Sequence, residues 1–416
     1  MALEYYLEIP TRISLLSLKR RWRLPEYIEE VLTLDENRRN ITKQALDTIR
    51  AGLNIAIIGE PGLGKTTILY AILREALKKE YRTALLTRHD GIETERHTEL
   101  GIILFIDDLP RHKEICEKIL ETKTRVIVTT ARRQEWEYLP YDLKKQFITL
   151  EIAPMPREEL REMTLKYLHK NQIIEDTENL TPEEEKAIEI IIEKAEGNPM
   201  YIKYLVEELR GPPRRKLTIE TAEKAPEGML RYIAGILENL LIQHGELKQG
   251  AKTTIVALLC MTQLPNYEIH KEHLNQLIKT AAEKTGDKEP PFKHKLYAYL
   301  QYDNTYYTYR FIHDSMADIL TTTIGEITIT RIIDSIRPDY EDHIEEIIEE
   351  SLERAIRREI ERQRKNPRYT EELLALLYQT IKIRPEKYRS LPEEIRRLPE
   401  KHRDKPIAQQ ITVSYT

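Results

Sequence analysis

One stretch decides the fold of this 416-residue chain, Gly59-Glu60-Pro61-Gly62-Leu63-Gly64-Lys65-Thr66. It fits the pattern G-x-x-x-x-G-K-[ST] at every specified position. An apolar run at 54–58 precedes it and a helix-like run at 67–73 follows, which is the strand–loop–helix context that a phosphate-binding loop requires. Glycine is scarce, with 14 residues, yet four of them lie at 52, 59, 62 and 64, where backbone would approach a ligand.

The loop predicts a site for ATP or ADP with Mg²⁺. Glycines let several backbone N–H groups point at one anion, and the next helix directs its positive end to the same place. Lys65 would neutralise the β- and γ-phosphates and also act in catalysis, and the Thr66 hydroxyl would bind Mg²⁺. The alternative is a tight glycine turn before a buried helix. The predicted nucleotide-binding residues of this loop are Gly59, Glu60, Pro61, Gly62, Leu63, Gly64, Lys65, Thr66 and Thr67.

Composition limits the class of protein. With 40% apolar and 32% charged residues the chain is expected to be globular, with about two to four domains. No apolar run approaches the length of a membrane span, and no signal peptide is evident, so we expect a cytoplasmic protein. Cys116 and Cys260 are isolated and predict buried thiols, without a disulfide or zinc framework. A net charge of −5 gives no general argument for nucleic acid, and the abundance of Glu, Lys, Arg and Ile hints at a thermophilic source.

Strand-like and helical segments alternate from residue 54 to residue 152. Short apolar runs separated by helices indicate an α/β fold with a parallel sheet covered on both faces, of the P-loop NTPase kind. Ligands bind such sheets at the carboxyl ends of the strands, where the glycine loop lies. The predicted strands are 54–58, 82–87, 102–106, 125–130 and 147–152.

The rest of the chain is predicted to be mainly helical. The region 153–227 has helical periodicity, with a capping box at Thr181-Pro182-Glu183-Glu184, and is interpreted as a helical lid. Helices, two strand-like runs and a closing helix suggest a winged-helix domain at 228–325, in which alternating tyrosines favour a half-buried hairpin over a base-stacking platform. The predicted domains are an arm at 1–40, a nucleotide-binding domain at 41–152, the lid at 153–227, the winged helix at 228–325 and a helical C-terminal region at 326–416.

Two further segments are interpreted as structural, with no favoured role in binding or catalysis. The basic run 19–23 is expected to be a solvated face with a Trp anchor, and a phosphate or nucleic-acid contact is the less favoured alternative. Prolines recurring at 385, 392, 399 and 406 predict a looser end to the helical C-terminal region.

A pair of carboxylates ends the third predicted strand, in Leu104-Phe105-Ile106-Asp107-Asp108-Leu109. An ATPase needs an acid at the end of the strand beside the glycine loop. Asp107 would hold Mg²⁺ through oxygen ligands and water, and Asp108 would orient the attacking water. The alternative is a pair of acids that only ends the strand in a turn.

Polar side chains also follow the fourth predicted strand, in Thr129-Thr130-Ala131-Arg132-Arg133. A guanidinium at this strand end would stabilise the charge on a transferred phosphoryl group or sense its presence. Arg132 is the predicted catalytic arginine, and Arg133 stays open as the alternative. A merely solvated strand end is the structural interpretation.

These motifs together resemble the STAND NTPases, the signal-transduction ATPases near AAA+ that include the NB-ARC proteins. The resemblance covers about 40–324 and includes Glu196-Gly197-Asn198-Pro199, which is similar to the family's Gly-x-Pro turn in a helical lid. It implies that Pro199 contacts adenine. Ile312-His313-Asp314 resembles the family's apolar-His-Asp motif, which implies that His313 contacts the β-phosphate of ADP. The Gly-Arg-Glu signature before the loop is replaced by Leu34-Asp35-Glu36-Asn37-Arg38-Arg39.

The resemblance implies a slowly hydrolysing ATPase switch. ADP would hold the lid and winged helix closed, and ATP would open the protein for self-association or for a protein partner. The first alternative is a DNA-binding AAA+ ATPase of the replication-initiator or transposition type, which the acidic balance disfavours. The second is a scaffold that binds nucleotide without turnover, which the short side chain of Asp108 keeps open.

Overall fold

The computed structural model describes residues 36–81, 83–86, 103–112, 120, 126–210, 216–291, 296–297, 299–304, 306–311, 313, 315–322, 326–402, 405, 407–408 and 411. The arm up to residue 35 with its basic run, Cys116 and most of the Gly-Pro-rich turn at 211–216 lie outside these residues. The chain divides into two compact units, Met1–Tyr232 and Ile233–Thr416. The finer division into five segments stays a prediction.

Five strands form a parallel sheet in the first unit: β1 (Asn54–Gly59), β2 (Thr83–Leu86), β3 (Ile103–Ile106), β4 (Val126–Arg132) and β5 (Phe147–Glu151). Their order across the sheet is β2–β3–β4–β1–β5. The predicted α/β class with a parallel sheet is confirmed. One expectation is wrong, because β4, and not the acid-bearing β3, lies beside β1. A long crossover can return a strand to the sheet at more than one place, so chain order does not determine which strands are neighbours.

Alternate residues of β1, an inner strand of the sheet, belong to two different cores. Ile55 and Ile57 belong to the core formed with α1 (Glu36–Arg50) and α2 (Lys65–Lys78). Ala56 and Ile58 belong to the opposite core, which includes Trp136 of the short helix α3 (Arg133–Glu137). Full burial of one Ile side chain stabilises the fold by about 1.5–3 kcal/mol, so the two cores fix β1 and the loop that follows it.

Helices follow the sheet strands in the rest of the first unit. They are α4 (Tyr141–Lys144), α5 (Arg157–Lys170), α6 (Pro182–Ala195), α7 (Pro199–Arg210), α8 (Ile219–Lys224) and α9 (Gly228–Leu241), the last of which continues into the second unit. The predicted capping box is confirmed, because the Thr181 side chain accepts from Glu184 N while Glu184 accepts from Thr181 N at 2.9 Å. We call the segment 153–227 the lid.

The second unit begins with helices, a two-stranded antiparallel pair and a three-stranded antiparallel sheet. Its elements up to residue 321 are β6 (Ile242–Gln243), β7 (Glu246–Leu247), α10 (Ala251–Thr262), β8 (Glu268–His270), α11 (Lys271–Thr285), β9 (Leu300–Asp303), β10 (Thr308–Phe311) and α12 (Ser315–Thr321). The order β8–β10–β9 shows a third strand besides the two strand-like runs that were predicted. Pairing of His270 with Thr308, distant in sequence, decides this strand against its local helical pattern. The winged-helix assignment stays a prediction.

The C-terminal part of the second unit is helical, as predicted. It comprises α13 (Thr328–Ile336), α14 (Ile344–Lys365), α15 (Thr370–Ile383), α16 (Pro385–Arg389), α17 (Glu393–Arg396) and α18 (Leu398–Lys401). The expectation of a looser end after residue 384 is wrong for its described residues. Three of the prolines lie at helix starts, and Tyr388 and Ile395 pack into a core with α15. Proline suits a first helical turn because that turn needs no N–H bond from it.

Buried polar side chains join α14 and α15 to β8 and α11. His273 Nε2 contacts Ser351 Oγ at 3.0 Å, and Ser351 Oγ donates to Ile348 O at 2.9 Å. Gln379 donates to Glu268 O at 2.8 Å and accepts from His270 N at 2.7 Å. Burial lowers the pKa of His273 to about 4 and lowers the pKa of His270 as well. Both imidazoles are therefore neutral in the folded protein near neutral pH.

This junction should make the second unit sensitive to mild acid. His273 titrates near 6.5 when unfolded and near 4 when folded, so between these values the unfolded chain binds more protons and stability falls as pH falls. We expect His273 alone to lower the free energy of unfolding by about 2 kcal/mol at about pH 5 relative to about pH 7.5. Urea unfolding at the two pH values measures the loss. It should shrink in His273→Gln and persist in His343→Gln, whose side chain is exposed. An equal loss in both variants would contradict the assignment.

Candidate functional site

The glycine loop joins β1 to α2 and has the backbone shape of an anion cradle. Gly62 and Gly64 have φ angles of +84° and +92°, a region that side-chain-bearing residues rarely adopt. Gly64 is the residue before α2, so the positive end of that 14-residue helix begins at the loop. Leu63 is buried in the core that β1 forms with α1 and α2, and this packing anchors the loop to the sheet.

Lys65 bonds to the backbone of the glycine loop and lies near several charged side chains. Its Nζ donates to Gly59 O and to Glu60 O, both at 3.0 Å. Burial lowers the pKa of Lys65, while the nearby carboxylates of Asp108 and Asp107 oppose that shift and Arg132 adds to it. The ammonium therefore lies within the electrostatic reach of three of the predicted site residues.

Thr66 and the first acid of the pair meet directly. Thr66 Oγ1 lies 3.1 Å from both carboxylate oxygens of Asp107. Thr130 Oγ1 of β4 donates to Asp107 Oδ1 at 2.6 Å. Hydroxyl and carboxylate oxygens from three elements thus converge beside the loop, which is the hard-oxygen chemistry that suits Mg²⁺. The first unit has a P-loop NTPase fold.

Asp108 occupies a constrained position at the end of β3. Its φ angle is +58°, in the left-handed region, where Asp is better tolerated than most residues. Its backbone N–H donates to Thr130 Oγ1 at 2.8 Å, and the 3₁₀ segment Leu109–His112 follows it. Thr130 therefore contacts both acids and sets the turn between them, a task that the sequence pattern did not reveal for this residue.

The two arginines after β4 have different surroundings. Arg132 pairs with Gly59 across the sheet, is nearly buried, and its Nε lies 3.7 Å from Glu135 Oε1. Arg133 is about half exposed and lies 3.0 Å from Glu151 and 3.5 Å from Glu60. The charge of Arg132 contributes to lowering the pKa of Lys65, so Arg132 lies close enough to interact electrostatically with the glycine loop.

Arg132→Ala should therefore reduce ATP turnover, by about a hundredfold, because the predicted role of its guanidinium is to stabilise developing phosphoryl charge. Arg133→Ala is the matched control and should stay within about twofold of the parent, because its bridges to Glu60 and Glu151 are solvent-exposed. Steady-state phosphate release measures both. Equal losses in the two variants would contradict the assignment of separate roles, and a loss in Arg133→Ala alone would exchange the roles.

Two residues that sequence reasoning did not assign to the site hold the loop from outside. Arg38 of α1 is fully buried and donates to Leu63 O at 2.6 Å, and burial lowers its pKa to about 10. Asn198 of the lid donates from Nδ2 to Pro61 O at 3.0 Å. The sequence does indicate a helix start at Asn198, because Asn before Pro is a common helix-start pattern. That pattern does not predict which group accepts a hydrogen bond from the side-chain Nδ2.

Pro199 and His313 are placed locally, and their predicted ligand contacts stay predictions. Pro199 is the first residue of α7, directly after Asn198 in the turn against the glycine loop. His313 belongs to the second unit, where its Nδ1 accepts from Ser315 N at 3.1 Å at the start of α12. That contact is the helix-start role that such a histidine often has.

Comparison of the sequence with known protein families and with curated proteins finds no match. Among solved structures, a RuvB mutant of Thermotoga maritima is similar at 17% identity and a TM-score of 0.33, with 64% of this chain and 89% of that chain covered. A DNA replication initiation factor has 13% identity and a TM-score of 0.35, with 76% and 92% covered. Hsp104 of S. cerevisiae, in complex with casein, has 14% identity and a TM-score of 0.36, with 69% and 52% covered. The P-loop NTPase fold of the first unit follows from its parallel strand order and from the backbone of its glycine loop.

No helix in the described part of the chain is both long enough and apolar enough to cross a membrane. Cys260 is buried, in agreement with its prediction as a small apolar side chain.

Proposed function

We propose that this chain is an ATP-binding, slowly hydrolysing switch of the STAND class within the AAA+ ATPases. The observation that carries the proposal is the contact of Thr66 with Asp107, which joins the glycine loop to the acidic end of β3. The loop amides and Lys65 would hold the phosphates, and Thr66 with Asp107 would hold Mg²⁺. When bound, Mg²⁺ neutralises charge on the phosphates.

Two further residues complete the proposed hydrolytic site. Asp108 would accept a proton from, and orient, the attacking water, and Arg132 would stabilise charge on the phosphoryl oxygens. Asp108 is one methylene shorter than the Glu common in such sites, and its backbone is held by Thr130. A short, restrained carboxylate supports slow turnover.

The switch would depend on the lid. The turn that contains Asn198 and Pro199 lies against the glycine loop, so a change in the loop acts directly on the lid. ADP would favour the closed state, with Pro199 at the adenine and His313 at the β-phosphate. ATP would favour an open state that self-associates or binds a protein partner. Such a switch requires ADP and ATP to differ in affinity for the two states.

The tyrosines of the second unit support a packed hairpin more than a nucleic-acid platform. Tyr309 stacks with Tyr297 at 5.0 Å and contacts Tyr302 at 4.8 Å between ring centroids. Tyr306 and Tyr307 pack against the core around α15. Rings already paired with one another offer fewer free faces to bases, so DNA binding remains the less favoured function.

Two measurements on one preparation test the switch. The protein is denatured to identify any nucleotide released, and the intact protein is analysed by size exclusion with light scattering in ADP and in ATP with Mg²⁺. We expect released ADP, and a larger assembly in ATP than in ADP. If there is neither bound nucleotide nor a change of assembly, the switch is wrong, and DNA binding titrated with salt becomes the next measurement.

A further inference from the structure

The side chain of Asn198 connects the lid to the glycine loop. Its Nδ2 donates to Pro61 O at 3.0 Å. Its Oδ1 accepts from Met200 N at 3.0 Å and from Tyr201 N at 3.3 Å, the first turn of α7. One amide therefore caps the lid helix with its oxygen and holds the loop with its nitrogen, so the loop contact moves with α7.

The backbone on both sides of this contact is shaped for close approach. A Cβ on Gly62 would lie 2.5 Å from Asn198 Oδ1, so the Asn198 side chain can hold this position only beside a glycine, which the φ of +84° at Gly62 also favours. A Cβ on Gly197 would lie 2.6 Å from Pro154 Cβ, and Met155 N donates to Gly197 O at 2.8 Å. The lid turn is thus held between the glycine loop and the segment that follows β5.

Within the first unit, α7 also contacts the beginning of α9 through tyrosine side chains. Tyr201 Oη donates to Pro226 O at 2.6 Å, just before α9 begins. Tyr232 Oη lies 3.2 Å from Tyr204 O, and the rings of Tyr201 and Tyr232 meet at 5.7 Å in an edge-to-face arrangement. A displacement of the first turn of α7 would therefore reach the first turn of α9.

We propose that Asn198 is a latch that couples the glycine loop to the lid and limits the rate at which bound nucleotide leaves. The proposal rests on the proposed function and names a regulatory element of that site. The lid cannot leave the loop without breaking the bond to Pro61. A hydrogen bond of this kind contributes about 1 kcal/mol, which corresponds to about fivefold in a rate.

Asn198→Asp separates the two tasks of the side chain. The carboxylate retains an oxygen to cap α7, where a negative charge is favourable, and it loses the donor to Pro61 while placing an oxygen against that carbonyl. Asn171→Asp is the matched control, because Asn171 also donates from Nδ2 to a backbone carbonyl, Tyr167 O at 2.8 Å, at the end of α5.

Release of a fluorescent ADP analogue from the full chain, chased with excess ADP in a stopped-flow instrument, measures the latch. We expect release from Asn198→Asp to be about fivefold to tenfold faster than from the parent and from Asn171→Asp. The melting temperature without nucleotide should fall by only a few degrees, and by a similar amount in both variants, because each substitution removes one hydrogen bond from Nδ2 to a backbone carbonyl. An unchanged release rate in Asn198→Asp would overturn the latch while leaving nucleotide binding intact.

Amide hydrogen exchange distinguishes coupling from a general loosening. In the parent, ADP should slow exchange both in the glycine loop and in the first turns of α7. In Asn198→Asp the loop should still respond to ADP and α7 should not. A response of α7 equal to that of the parent would contradict the coupling. Failure of the parent itself to bind the analogue would instead remove the proposed function, and the latch with it.

Discussion

Lys65→Ala should weaken the binding of ATP and of ADP by at least about a hundredfold. The ammonium is the one cation that the glycine loop itself contributes, and its Nζ lies within 3.0 Å of two loop carbonyls. Hydrogen bonds to charged groups contribute about 1.5–3 kcal/mol each, and Lys65 is expected to make two of them to phosphate oxygens. Its burial strengthens this effect, because an alanine would leave the phosphates without a counterion in a poorly solvated place.

Isothermal titration of the purified variant with ADP and ATP provides the measurement. Lys78→Ala in the last turn of the same helix is the control, since Lys78 is exposed and forms a surface ion pair with Glu75. This control should bind as the parent does. Retained ATP affinity in Lys65→Ala would overturn the assignment of the site.

Asp108→Ala should lower ATP turnover by about a hundredfold or more while leaving ATP affinity within a fewfold of the parent. A group that positions or deprotonates water contributes mainly in the transition state, so its removal affects turnover and not binding. Asp107 is proposed to hold Mg²⁺ instead, and its carboxylate contacts Thr66 and Thr130. Single-turnover hydrolysis with saturating ATP, together with a binding titration, measures the two quantities separately.

Glu135→Gln is the informative comparison for that experiment. Glu135 lies 3.7 Å from Arg132 and contributes to the electrostatic environment of Lys65, so it is a further acid near the site. We expect Glu135→Gln to lower ATP turnover less than Asp108→Ala does, because it would act only by weakening the positioning of Arg132. If Glu135→Gln loses turnover and Asp108→Ala does not, the acid that orients the water is Glu135.

The glycine loop, the alternating strands and the paired acids were predictable from sequence because each depends on local chemistry. Glycine at 62 and 64 permits left-handed backbone, apolar runs of four to six residues form buried strands, and Asp107 follows such a run directly. Their convergence at one sheet edge follows from the parallel arrangement. Helix starts such as Thr181 were predictable for the same reason, since a cap requires only neighbouring residues.

Tertiary structure alone decided which distant groups meet. The placement of β4 between β1 and β3 brought Thr130 to both acids, and no local pattern encodes the lateral order of strands. Arg38 and Asn198 reach the loop carbonyls of Leu63 and Pro61 from 25 and 137 residues away. The sequence by itself thus determined the phosphate-binding loop and the α/β class, because these arise from neighbours along the chain. The supports of the loop required the folded chain, because a hydrogen bond across such separations depends on how whole elements pack.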